Sequence, residues 1–132
     1  GFYHVRDELE IAAVQAAAVH ISDLEIEMLK ANLALFDSAR AEPDKLSQID
    51  NQFHSILHDA CNNNYLSQTL RRLRLRIGLL HGQPFSNPER INDAYNEHAF
   101  IIKALESYDP DIAKSAVAKH YSNARKSRLS LL

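Results

Sequence analysis

The stretch PERINDAYNEHAFIIKALE, residues 88–106, decides the fold. Read at 3.6 residues per turn, it places Ile91, Ala94, Tyr95, His98, Ile101, Ile102 and Leu105 on one stripe. Such a stripe must pack against other helices. Its centre is His98, where a leucine is expected. Residues 110–128 repeat the arrangement with Ala113, Ala116, Val117, His120, Tyr121 and Ala124, and His120 stands at that centre. Both segments open with a capping residue followed by proline, Asn87-Pro88 and Asp109-Pro110. A side-chain acceptor at the cap and a proline just inside it start helices well.

The same period extends outward through the chain. A first helix is expected from about Val5 to Val19, burying Val5, Leu9, Ala12, Ala13 and Ala16. Ser22 and Glu25 have capping-box spacing and open a second helix that runs to about Ala39. Arg40-Ala41-Glu42-Pro43 breaks it. A third helix follows from Pro43 to Ala60 or Cys61, with Leu46, Ile49, Phe53, Ile56 and Ala60 inward. Asn62-Asn63-Asn64 ends it. A fourth runs from Tyr65 to about His81, with Leu66, Leu70, Leu73, Ile77 and Leu80 inward, and Gly82-Gln83-Pro84 turns the chain. The expected architecture is one all-α domain over residues 1–132, an antiparallel bundle of about six helices joined by short loops.

Composition narrows the function classes. The chain has 132 residues, enough for one core and too few for two. No apolar run approaches the roughly 20 residues that span a bilayer, so no membrane partner is expected. The formal net charge of −2 gives the chain no electrostatic footprint for nucleic acid. The single Cys61 excludes an internal disulfide and suits a reducing, cytoplasmic setting. The sequence opens Gly1-Phe2-Tyr3 without methionine, which suits a piece of a longer protein.

An imidazole facing a bundle core needs a hydrogen-bond partner or a metal. Asp50 and His54 lie four residues apart on the third helix, so their side chains stack one turn apart. With His98 and His120 they supply three nitrogens and one carboxylate from three helices. That set suits zinc first, with nickel or another divalent ion as the alternative. Spacing alone leaves a second reading open, in which each histidine is an ordinary buried residue bonded to a carbonyl. His58 shares a stripe with Asn51, Ser55 and Asn62, a face expected to be solvated. His4, His20 and His81 lie near helix ends and need no special role.

Arginines raise a separate question. Arg71, Arg72, Arg74 and Arg76 crowd the fourth helix, either snorkelling beside its leucines or turning one guanidinium inward to hold an anion. Arg6 could pair with Glu10, or point into the bundle and clamp a carboxylate.

Several of these segments resemble one family. Asp50-Asn51-Gln52-Phe53-His54 resembles the D-x-x-F-H segment of the FCD domain of GntR-type bacterial transcription regulators. Asn64-Tyr65-Leu66 follows at the family's interval. Glu97-His98, Ile101 and Ala104-Leu105 resemble its E-H-x-x-I-x-x-A-I helix. Ala113 through Lys119-His120-Tyr121 resembles its closing A-x-x-x-M-x-x-H-L segment, with Val117 in place of Met and Tyr121 in place of Leu. Arg6, Leu9 and Glu10 with the following alanines resemble its opening helix.

The resemblance implies a buried metal held by Asp50, His54, His98 and His120. It implies a small organic acid as effector, whose carboxylate completes the metal shell, with Arg6 and Arg76 as effector-binding residues. It also implies a homodimer, and DNA contact only through an N-terminal winged-helix domain that this chain does not encode. Candidate dimer surfaces are the alanine face of the first helix and the leucines of the fourth, and both could equally be core. Two other readings compete. A helical metal-dependent hydrolase would need a general base beside the histidines, and neither H-E-x-x-H nor a paired E-x-x-H is present. A closed, purely structural metal staple would leave no coordination position for a ligand.

Overall fold

A computed structural model describes residues 1–129 as six helices. They are α1 Phe2–His20, α2 Asp23–Ser38, α3 Pro43–Asp59, α4 Asn64–His81, α5 Pro88–Glu106 and α6 Pro110–Leu129. The described residues contain no strand. The result is the expected all-α antiparallel bundle, and its boundaries follow local chemistry. Ser22 Oγ accepts from the Glu25 amide at 3.1 Å, and the Ser22 amide donates to Glu25 Oε1 at 3.0 Å. That closes the capping box. Asn63, Asn87 and Asp109 accept from amides of α4, α5 and α6 respectively. Asn62 turns the chain between α3 and α4 at φ 59, a left-handed conformation that asparagine tolerates. Gly82 ends α4 at φ 67, where a Cβ would be strained.

The main core lies where α1, α2, α3, α5 and α6 meet, and includes Val14, Leu29, Phe53, Leu57, Ile101, Leu105 and Val117. A second cluster, with Phe36, Leu46, Ile49, Phe85 and Ile91, closes one end. α1 packs on α6, α6 on α5, α5 on α2 and α2 on α3. Among the described residues α4 packs on α1 and α3 alone, and it stands at the side of the bundle.

Three expectations about faces need correction. α1 buries Arg6, Glu10, Ala13, Val14, Ala17 and Ala18, whereas Val5 is 51% exposed and Ala12 is exposed. Counting only apolar residues rotated the inferred face, because two of the buried positions are charged. On α4, Leu80 is exposed together with Leu75 and Leu79, since the second half of that helix has neighbours on one side only. The third correction concerns His58. It is 2% exposed, and its Nε2–H donates to Glu10 Oε2 at 2.8 Å. The polar stripe containing His58 packs against α1 at that level, and Glu10 supplies the acceptor that makes burial tolerable.

Candidate metal centre and anion cavity

Asp50, His54, His98 and His120 come together. The first two project from α3, His98 from the middle of α5 and His120 from the middle of α6. Nitrogens of the three histidines lie within 4.8 Å of one another, and all three residues are buried. The ring centroids stand 5.5 Å apart for His54 and His98, 5.3 Å for His54 and His120, and 5.0 Å for His98 and His120. Asp50 Oδ1 lies 3.4 Å from His54 Nε2 and 3.3 Å from His98 Nε2. Asp50 Oδ2 turns the other way and accepts from Arg74 Nη2 at 3.1 Å.

The surroundings orient each ring. His120 Nδ1–H donates to Glu97 Oε1 at 2.6 Å, which leaves the Nε2 lone pair free. Glu97 is held in turn by Arg90, through bonds of 2.9 and 3.0 Å, and by Asn123 at 2.9 Å. A carboxylate behind a ligating imidazole is a recurrent support of metal sites. His54 Nδ1 is hydrogen-bonded to the Tyr121 hydroxyl at 3.1 Å. The His98 ring stacks on Phe53 at 4.0 Å with an interplanar angle of 5°. His98 is fully buried; its Nδ1 has no partner, and its Nε2 meets only the Asp50 carboxylate, at 3.3 Å and outside hydrogen-bond geometry.

Two unsatisfied nitrogens at the centre of a core are costly if nothing binds there. The donor set of three imidazoles and one carboxylate therefore fits a divalent cation. The protonation states also suit one. Burial, reinforced by the nearby Arg74 charge, pushes His54 well below the usual imidazole range, and burial lowers His120 too. Burial alone would raise Asp50, but His54, His98 and Arg74 outweigh it and hold the carboxyl well below its ordinary value. Neutral imidazoles and an ionised carboxylate are the forms that ligate metals. Glu10, His54 and His58 make a second cluster of donors within 4.8 Å. There His58 Nε2 is already hydrogen-bonded to Glu10, whereas His98 makes no hydrogen bond.

A cavity of about 250 Å³ adjoins the cluster, with Asp50, His54, His120 and Tyr121 in its wall. Arg6, Arg74, Arg90 and Arg128 line it as well. Arg6 thus points inward, with its guanidinium 4.1 Å above the Tyr121 ring centre, rather than pairing with Glu10. Arg76 is exposed and lies outside the lining. Arg74 is the arginine of α4 that turns inward. The spacing explains this, since Arg74 is one turn beyond the fully buried Leu70 and Arg76 falls on another face. Sequence reasoning also passed over Glu97 as the partner of His120, and over Arg90 and Arg128. Arg90 and Glu97, two turns apart on α5, offered a legible signal.

The fold is an all-helical bundle with a buried histidine cluster beside an arginine-lined cavity. The FCD domain model matches residues 2–123. The chain belongs to the FCD domain family of GntR-type regulators. It is 25% identical over 130 residues to the HTH-type transcriptional repressor NanR of Edwardsiella tarda (strain FL6-60), covering 92% of this chain and 48% of that protein. Two solved structures share the fold. E. coli McbR/YncC superposes with a TM-score of 0.85 at 18% identity, over 98% of this chain and 63% of that one. Streptococcus agalactiae GntR gives 0.82 at 24% identity, over 96% and 57%. The chain therefore spans about half to two thirds of the proteins it matches.

Proposed function

We propose that this chain is the effector-sensing domain of a DNA-binding transcription regulator, and that a divalent cation on Asp50, His54, His98 and His120 forms part of the sensor. Zinc is the first choice of ion and nickel the second. The effector is a small organic acid. One observation carries the reading. His98 has two unbonded nitrogens in a fully buried position, beside a cavity whose wall contains the other three donors.

The chain's residues divide the work. Arg74 fixes the orientation of Asp50, Glu97 fixes His120, and the Phe53 stack fixes His98. The cation would supply a Lewis-acidic centre that offsets the cost of bringing a carboxylate out of water. Arg6 and Arg74 add positive charge to the cavity wall. Ligand contacts there touch α1, α3, α4 and α6 together, and unequal affinity for two arrangements of these helices transmits the signal.

The output lies outside this chain. DNA would be met by an N-terminal domain, in a homodimer that sets the distance between two half-sites. The outer side of α4, with Tyr65, Leu75, Leu79 and Leu80 exposed, is the surface proposed for pairing. A cytoplasmic location accompanies this role. A sensor also suits the site better than a hydrolase. Glu97, the carboxylate beside His120, is fully engaged by Arg90, Asn123 and His120 and is not free to act as a general base.

Calorimetry tests the proposal. Chelator-treated protein is titrated with small carboxylic acids, with and without added zinc. Binding that needs zinc supports the reading, and equal binding in both conditions removes the metal from the mechanism.

A further inference from the structure

The cavity has a second pole that the metal reading does not use. Arg6 and Arg128 each carry a buried Nη2 with no hydrogen-bond partner. Arg6 is 2% exposed overall. The two guanidinium groups share one aromatic ring, lying 5.6 Å and 4.8 Å from the centre of Tyr3. The Tyr3 hydroxyl is itself buried and unbonded. Two guanidinium groups, from the first turns of α1 and the last turn of α6, therefore line the cavity beside one ring, each with a donor that lacks an acceptor.

The local charges do not balance. Arg74 is matched by Asp50, and Arg90 by Glu97. Asp7 is shared between Arg6 and Arg125. Among the described residues, no carboxylate pairs with Arg128. Asp7 thus serves two guanidinium groups, and Arg128 is left beside them without a carboxylate of its own. Burial first, and then the charges of Arg6 and Arg125, push the Arg128 value down, as expected where cations crowd together. Desolvated like charges are costly unless an anion joins them. Tyr121 stands between the two poles. Its hydroxyl meets His54, and Arg6 lies over its ring face.

We infer that Arg6 and Arg128, both packed on the Tyr3 ring, form a second anion subsite, and that the effector of this cavity is a small dianion. One carboxylate faces the histidine cluster, which rests on the function proposed above. The other anionic group, a carboxylate or a phosphate, is held by the two arginines. A planar guanidinium offers paired N–H donors that match either group. The cavity of about 250 Å³ falls below the usual range for drug-sized ligands, about 300–1,000 Å³, and so calls for a short acid.

The experiment is calorimetry on zinc-loaded and chelator-treated chain with matched acids. Malate is compared with 2-hydroxybutyrate, and 3-phosphoglycerate with glycerate. Arg128→Gln and Arg128→Lys are run beside the unaltered chain. The position is half-buried near the end of α6, and circular dichroism checks that each variant is folded. The dianion of at least one pair is expected to bind about 10- to 100-fold tighter than its monoanion, the scale of hydrogen bonds to a charged group. Arg128→Gln should erase most of that gap, weakening the dianion far more than the monoanion, and Arg128→Lys should keep part of it. Which pair shows the larger gap identifies the second group as carboxylate or phosphate.

Equal binding of dianion and monoanion, no dianion binding at millimolar concentration, or a gap that survives Arg128→Gln overturns the subsite. The two readings separate cleanly. If zinc strengthens all acids alike and dianions gain nothing, the metal reading stands and the subsite falls. If the dianion gap and its loss in Arg128→Gln are seen while zinc changes the affinity of no acid, the subsite stands and the metal reading falls.

Discussion

Glu97→Gln changes one atom of the side chain and tests the support behind His120. The Glu97 and Arg90 side chains are 8% and 7% exposed, and two bonds of 2.9 and 3.0 Å join them. Breaking a buried pair by neutralising one partner costs about 3–5 kcal/mol, because the other charge stays buried. The amide oxygen can keep one Arg90 bond and the His120 bond, and Asn123 can turn its own amide oxygen to the new NH2 group, so the lower end, about 3 kcal/mol, is expected. For a chain of this length that loss lowers Tm by about 10 °C. A second effect acts at the metal. Burial would raise the Glu97 value, but the bonds from His120 and Arg90 prevail and hold it at about 2. The native acceptor of the His120 proton is therefore a carboxylate, and an amide oxygen is a weaker one. Loss of such a support lowers metal affinity by about 10- to 100-fold.

Urea unfolding of the zinc-free protein measures the first effect, and competition with a chromophoric chelator measures the second. The double variant Arg90→Met with Glu97→Met should recover stability, since an apolar pair avoids the stranded charge, but should not recover zinc affinity. A Glu97→Gln protein within 0.5 kcal/mol of the parent and with unchanged zinc affinity would refute the reasoning.

Zinc at 100 times its dissociation constant should stabilise the folded chain by about 2.7 kcal/mol, read as a rise in Tm that His98→Ala abolishes. Phe53→Ala should cost about 3–5 kcal/mol in urea unfolding, and should also weaken zinc binding because the His98 ring loses its 4.0 Å stack. Arg76→Ala should stay within 0.5 kcal/mol and leave acid binding unchanged, whereas Arg74→Gln should weaken it; calorimetry separates the two. Burial opposes ionisation of Glu10, yet the His58 bond holds its value at about 2 rather than 4.5. A depressed carboxylate contributes stability above pH 4.5 that is lost as pH falls toward 2, worth roughly 3 kcal/mol. Glu10→Gln should therefore lower stability at pH 7 and flatten the acid limb of a stability–pH curve.

Helix existence and order were legible because stripe, cap and proline agree at each start, as at Asn87-Pro88 and Ser22 with Glu25. The convergence of Asp50, His54, His98 and His120 was legible because histidine is conspicuous where leucine is due. The charged interior was harder to see. Arg6 and Glu10 are buried on α1, but a hydrophobic pattern scores them as solvent-facing, so the inferred face rotated toward Val5 and Ala12. His58 was misplaced for the same reason. Its acceptor sits 48 residues away, and no local pattern announces it. Choosing between Arg74 and Arg76 needed the position of α4 against α3, which depends on tertiary packing.

The most direct test of the central claim is anomalous diffraction from a crystal of the zinc-loaded chain, collected on both sides of the zinc edge. The account predicts one full-occupancy zinc bound by Asp50, His54, His98 and His120, with at least one coordination position facing the cavity. A zinc elsewhere, or a centre without metal in which His98 has found a hydrogen-bond partner, would contradict it.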